Sequence, residues 1–289
     1  MSGFEETVER FRGAVRPGQP VPLARAALIA AQAEYPELDV EAHERRLDDI
    51  AETLGQRLQR GASTSGSSTH VLHTLNQLLF RELGFRGNAD HYDDPRNLYL
   101  NYVLAERIGI PVTLAIVYIE VARRVGLDVQ AVGLPGHLVV RFQPAGDEEQ
   151  EPALLDVFNR GRVLSVRDCQ VLVRNIFGTR VPFKPHYLTA LTSRQVLQRL
   201  LHNLKAGYLQ RGDEERAARV IDLLLALFPW DLDEIRDRGM LRERLGDYPH
   251  ALHDLEQYVQ YRAGARDIQT VTETVRSLRR HARDGASDR

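Results

Sequence analysis

Gly212-Asp213 and Ala217 recur as Gly246-Asp247 and Ala251, 34 residues further along in each case. A fixed period of that size constrains a chain more tightly than composition does. Each copy has to be one supersecondary unit that buries its apolar side against the next. From Ser193 onward the apolar residues fall at helical spacing and no alternating pattern interrupts them, so the unit is a pair of helices. Alanine at 217 and 251 suits helices that approach closely, and both are expected to be buried at equivalent places. Leu209, Leu241 and Leu245 are expected to fill apolar positions nearby. The polar end, 279–289, is expected to fray.

The remainder is mixed. Residues 4–60 read as helices, with an alanine-rich amphipathic stretch at 23–33 and a charged one at 40–58. The small polar run 61–68 reads as a loop, with Ser68 or Thr69 capping a helix over 71–83. Residues 84–96, rich in Gly, Asn and Asp, read as another loop. A helix over 98–108 is expected to stop at Gly109, and Pro111 to open the next, 112–125, which Gly126 closes. Then β-branched and aromatic runs appear at 129–132, 138–142 and 154–157. Three short strands after an apolar helix predict a small antiparallel sheet packed on it, an α+β core. Residues 165–176 read as helical and 182–187 as a proline-marked connector.

With 289 residues the chain has room for two cores. A net charge of −2 gives no global argument for nucleic acid or an anionic membrane. Arg123-Arg124 and Arg279-Arg280 are too short for a nucleic-acid patch and read as solvated helix faces. One cysteine, Cys169, excludes an intrachain disulfide framework and fits a reducing compartment. The acidic N-terminus carries no readable signal peptide, and no apolar run reaches the roughly 20 residues of a spanning helix. A cytoplasmic protein is expected. His70, His91, Asp90, Asp93 and Asp94 lack tight ligand spacing and read as loop residues, not metal ligands. No glycine-rich phosphate loop follows a strand, and no cofactor is expected.

Several segments carry a family resemblance: Asn97-Leu98-Tyr99-Leu100, Gly109-Ile110-Pro111-Val112-Thr113-Leu114, Ala122-Arg123-Arg124-Val125-Gly126-Leu127, Val132-Gly133-Leu134-Pro135-Gly136-His137 and Leu155-Asp156-Val157-Phe158-Asn159-Arg160-Gly161. The chain resembles the bacterial Sir-B-type family, named after a regulator of invasion genes. That family joins a transglutaminase-like core to a tetratricopeptide-like tail. Its pattern usually reads Asp-Pro-Phe-Asn, so Val157 departs from it. The resemblance implies three parts: an N-terminal helical region packed on the core (1–68), a papain-like or transglutaminase-like core (69–192) and tetratricopeptide-like helical repeats (193–289).

It also implies that His137 and Asp156 occupy the positions of the transglutaminase His and Asp. The nucleophilic Cys of that enzyme class would stand two residues after Gly109, where this chain has Pro111. Thr113 is the nearest hydroxyl, and it reads equally as a helix-cap residue. Cys169 reads as a small buried hydrophobe. For Asp156 to orient His137, the two are expected to face each other on neighbouring antiparallel strands, with the turn centred between Gly146 and Asp147. Two functions follow. One is a non-catalytic binding or regulatory protein whose repeat tail binds a protein or peptide. The other is a hydrolase or acyl-transferase using His137 and Asp156, with Thr113 or water as nucleophile. A purely structural adaptor is a third.

Overall fold

The structure is a computed structural model and describes residues 3–61, 68–144 and 151–287. It divides into two compact units, one of residues 17–200 and one that joins 1–16 to 201–289.

The first unit is built around α6 (Pro111–Arg124). This helix is buried from Pro111 through Ala122, as a helix apolar on all sides has to be. Even Glu120 lies inside, held by Arg123 at 2.9 Å and by the Arg124 guanidinium. Helices α2 (Leu23–Ala31), α3 (Val40–Gly61) and α5 (Leu100–Glu106) pack on it. Helix α4 (Ser68–Asn76) packs on α3 and runs on into a π-helical turn, Gln77–Glu82. The expected cap at Ser68 or Thr69 adjoins residues 62–67, outside the described residues.

Also packed on α6 are β3 (Asp128–Leu134) and β4 (His137–Gln143). These are the middle of a five-stranded antiparallel sheet with β5 (Ala153–Asp156), β6 (Arg162–Leu164) and β7 (Ala190–Leu191), in the order β6-β5-β4-β3-β7. Helix α7 (Val166–Phe177) follows β6, started by a reciprocal cap. Ser165 Oγ accepts the Asp168 N–H at 3.1 Å and the Asp168 carboxylate accepts the Ser165 N–H at 2.8 Å.

The sheet therefore has five strands where three are readable. β6 and β7 have three and two residues, too few for alternation to register. Helix α5 also ends earlier than expected, at Arg107, which takes a left-handed φ of 60°. Gly109 is not a helix stop. It lies in β2 (Ile108–Gly109), paired in parallel with β1 (Arg86–Gly87), and a Cβ there would fall 2.8 Å from the Thr113 hydroxyl.

The second unit contains α1 (Gly3–Ala14) and α9 (Glu214–Leu227), with Arg219 over the Phe4 ring at 5.7 Å. Its first helix thus groups with the repeats and not, as the 1–68 boundary assumed, with the core. The division also falls inside α8 (Ser193–Gln210), not at its start. Helices α10 (Leu232–Arg244), α11 (Tyr248–Tyr261) and α12 (Ile268–Ser287) complete the unit. Gly212 and Gly246 take left-handed φ of 70° and 80°, and the aspartates after them are the N-caps of α9 and α11. Ala217 and Ala251, each the fourth residue of its helix, are fully buried. Leu241 is buried but Leu209 and Leu245 are exposed, because the turns before Gly212 and Gly246 carry them outward. Residues 279–287 continue α12, where fraying was expected.

Candidate functional site

His137 enters β4 from a two-residue turn, Pro135-Gly136, that joins β3 to β4 with Leu134 opposite His137. Gly136 takes a φ of 69°, and a Cβ on it would lie 2.8 Å from Ile176 and 2.9 Å from Phe177. Proline first and left-handed glycine second is the type II turn pattern. Arg199 on α8 clamps this turn, donating from Nη2 to the Leu134 carbonyl at 3.1 Å and the His137 carbonyl at 2.8 Å.

Asp156 ends β5 and is almost wholly buried. Its Oδ1 accepts from the N–H of Phe158 at 3.1 Å and of Asn159 at 3.2 Å, and its Oδ2 from the Asn159 side chain at 2.7 Å. The turn closes with Arg160 and Gly161 in left-handed conformations, φ 57° and 71°, and with the Gly161 N–H on the Asp156 carbonyl at 2.8 Å. Asn76 holds the turn from outside, donating to the Gly161 carbonyl at 3.0 Å and accepting from the Tyr118 hydroxyl at 3.0 Å. A Cβ on Gly161 would sit 2.4 Å from the Asn76 side chain. Burial pushes the Tyr118 phenol well above its usual range, so it stays a neutral donor.

The two candidate side chains meet: His137 Nε2 lies 3.1 Å from Asp156 Oδ1. Their register differs from the expected one. Val140 faces Leu155, Arg141 faces Leu154 and Phe142 faces Ala153, so His137 and Asp156 are offset by two residues and not opposite. An offset of two keeps both on the same face, as diagonal neighbours that long side chains can span. The expected turn centre at 146–147 lies outside the described residues. Burial alone would raise the Asp156 carboxyl, but the hydrogen bond and charge of His137, with the Asn159 bonds, hold it below the usual range. An ionised carboxylate only accepts, so it selects the tautomer with the proton on Nε2 and leaves Nδ1 as an acceptor. Among the described residues, the imidazole makes this one hydrogen bond.

Neither hydroxyl nor thiol is positioned to serve it. Thr113 is fully buried. Its hydroxyl donates to the Asn97 carbonyl at 2.7 Å and accepts the Ile110 N–H at 3.2 Å, capping α6. Cys169 is buried among Val132, Leu134, Val139, Leu154, Leu164 and Val173. Burial first, then the charges of Asp168 and Asp156, push its thiol up to about 11. Pro111 is the first residue of α6.

Thr113 instead helps to build the wall beside His137. Asn97, whose carbonyl it holds, donates to the carbonyls of His91 and Tyr92 at 2.7 and 3.2 Å. The Tyr92 ring meets the Phe158 ring edge-on at 5.8 Å, and Phe158 meets the His137 ring at 6.4 Å. A Cβ at Gly87 would strike Phe158 at 2.5 Å, so β1 is glycine to admit that ring. Sequence reasoning missed Tyr92 and Arg199 as neighbours of the site. No periodicity marks either, and Arg199 lies 62 residues from His137.

This arrangement, a buried helix with an antiparallel sheet bringing His beside Asp, is that of a transglutaminase-like core. Residues 41–202 match the family model described as the transglutaminase-like superfamily, and residues 204–276 match a tetratricopeptide repeat model. A UPF0162 protein of Xylella fastidiosa is 35% identical over 254 residues, covering 87% of this chain and 88% of that one. Another, from Pseudomonas aeruginosa, is 30% identical and covers 83% of this chain and 84% of its own length. The human F-box only protein 21 is 27% identical over 63% of this chain, which corresponds to 29% of that protein. A crystal structure of menin overlaps with a TM-score of 0.41 and 15% identity, over 88% of this chain and 69% of that chain. The chain belongs to the UPF0162 family, within the transglutaminase-like superfamily.

Proposed function

We propose that this chain is a non-catalytic binding protein, a transglutaminase-like domain without its nucleophile, carried with a repeat unit that binds a protein or peptide. One observation carries the reading. His137 and Asp156 keep the geometry of an enzyme pair, while Pro111 stands at the helix start and the Thr113 and Cys169 side chains are committed to packing and capping. A nucleophilic mechanism needs the attacking atom within reach of the base, and neither side chain qualifies. The regulatory role implied by the Sir-B-type resemblance, and action in the cytoplasm without nucleic acid or membrane, are parts of the same reading. Recurrence of part of the chain inside longer F-box proteins fits a portable binding module.

The second reading is a hydrolase in which His137 activates water. It is favoured by the Nδ1 acceptor, which Asp156 orients and no described side chain occupies. The test sets the parent chain and His137→Ala against ester, amide and glutamine-donor substrates, with crosslinking capture of partners in parallel. No turnover in the parent, with a partner lost in His137→Ala, supports the binding reading. Turnover that disappears in His137→Ala but persists in Cys169→Ser and Thr113→Ser establishes the water mechanism instead.

A further inference from the structure

Ionic groups are distributed unevenly along this chain. Arg160, Arg162, Arg167, Arg174, Arg180 and Lys184 fall between residues 157 and 186 with Asp168 as the sole acidic residue, in a protein of net charge −2. All six basic side chains are exposed. Arg162 reaches Asp168 at 3.5 Å. Arg160, Arg167, Arg174 and Lys184 have no ion pair among the described residues. Elsewhere several half-buried arginines are matched by carboxylates, Arg124 by Asp48 and Glu120, Arg238 by Asp222 and Asp254.

The same stretch exposes aliphatic residues. Val163 on β6 is 61% exposed, and Val166, Val171 and Ile176 on α7 are 47, 48 and 46% exposed. On α7, Arg167, Val171 and Arg174 stand at i, i+4 and i+7, one solvent-facing stripe with a valine between two arginines. The buried side of the helix is set by Cys169 and Val173, so packing within the core does not account for Val171. Ile176 stands about half a turn round α7 from that stripe and, with Phe177, lies against Gly136.

We infer that the face of β6 and α7 docks an acidic polypeptide segment with aliphatic side chains among its carboxylates. Unpaired guanidiniums select carboxylates over neutral partners, and they do so most cheaply where they are already exposed. The aliphatics decide between anionic partners. A phosphate backbone offers nothing to the exposed Val171 between two arginines or to Val163 on β6, and nucleic-acid sites of this size interleave aromatics that this stripe lacks. Bilayer-surface helices bury Trp, Phe and Leu, where this face presents short β-branched residues. A peptide supplies both a carboxylate and an apolar side chain within one residue of each other.

The test is fluorescence anisotropy on the full chain with labelled synthetic peptides. One alternates Asp and Glu with Leu, Ile and Val. A second keeps the acids and replaces the aliphatics with Ser and Asn. The first is expected to bind about tenfold tighter than the second, and to weaken about tenfold in Arg167→Glu/Arg174→Glu and again in Val171→Ser at unchanged charge. Arg45→Gln/Arg46→Gln, a loss of two exposed charges on α3, is expected to bind the first peptide like the parent, which separates this face from positive charge in general. All the substituted face residues are exposed, and circular dichroism checks that the variants are folded. Equal binding of the two peptides, full binding by the charge-reversed variant, or capture by phosphatidylserine vesicles or a single-stranded oligonucleotide but not by the first peptide each overturns the proposal.

Discussion

The core and the repeat unit each bury a carboxylate completely, and they satisfy it in opposite ways. In the repeat unit, Asp254 of α11 receives Arg238 in a two-pronged contact at 2.7 and 2.8 Å and Arg242 at 2.9 Å, and Arg238 also reaches Asp222 at 2.7 Å. Every partner there is a charged side chain, and most come from neighbouring helices. In the core, Asp156 receives two main-chain N–H groups, one amide and one imidazole, nearly all from its own turn. The imidazole uses one nitrogen there, and the other is left over. A closed ionic network locks helices together. In the core one imidazole nitrogen stays open beside a buried carboxylate, so the contrast is between a saturated charge cluster and one with an acceptor to spare.

The largest expected effect tests the closed network. Asp254→Ala leaves Arg238 and Arg242 with Asp222 as their one remaining carboxylate in the helix stack and is expected to destabilise the unit by about 3–5 kcal/mol. Urea unfolding followed by circular dichroism measures it, and parental stability would show that the network is dispensable. Ala251→Phe, which overfills the closest helix approach, is expected to cost about 1–3 kcal/mol in the same experiment.

The corresponding change in the core, Asp156→Asn, keeps the shape of the turn but gives the His137 ring a weaker acceptor. About 1–3 kcal/mol is expected, read from hydrogen exchange of β4 and β5. A loss as large as that of Asp254→Ala would erase the contrast between the regions. Cys169→Ser places a hydroxyl among aliphatic side chains and is expected to cost about 1–2 kcal/mol without altering binding or turnover. Loss of any activity out of proportion to stability would restore the thiol as a chemical group.

The smallest effect concerns pH. Asp156 titrates below its ordinary value in the folded chain. The stability it contributes is therefore complete above the ordinary carboxylate range and lost as pH falls through the folded value. Glu234 behaves likewise: burial pushes its carboxyl up, but the hydrogen bonds of His202 and Lys205 hold it down. Stability measured from pH 6 to pH 3 is expected to decline in both units. His137→Ala should flatten the decline seen by core probes and leave that of the repeat helices unchanged.

Sequence reasoning reached different depths in the two regions for the same physical reason. Ala217, Ala251, Gly212 and Gly246 could be placed because a helix pair is local. Its contacts lie within one period, and a left-handed glycine followed by an aspartate cap marks each boundary in the sequence itself. The order of His137 before Asp156, the Pro-Gly turn ahead of the histidine and the missing thiol at Pro111 were equally legible, since residue type alone states them. What the sequence could not decide was registration and commitment. A slip of two residues between β4 and β5 changes no face and no hydrophobic pattern, so it leaves no trace along the chain, yet it sets how imidazole and carboxylate meet. Whether Thr113 attacks or caps, and whether Arg199 and Tyr92 stand beside the histidine, depended on hydrogen bonds and ring contacts between residues far apart in the chain. Composition and period determined that this protein is a sheet-bearing core joined to helical repeats. Only packing decided that the core brings His137 beside Asp156 while Thr113 caps a helix and Cys169 is buried among aliphatic side chains.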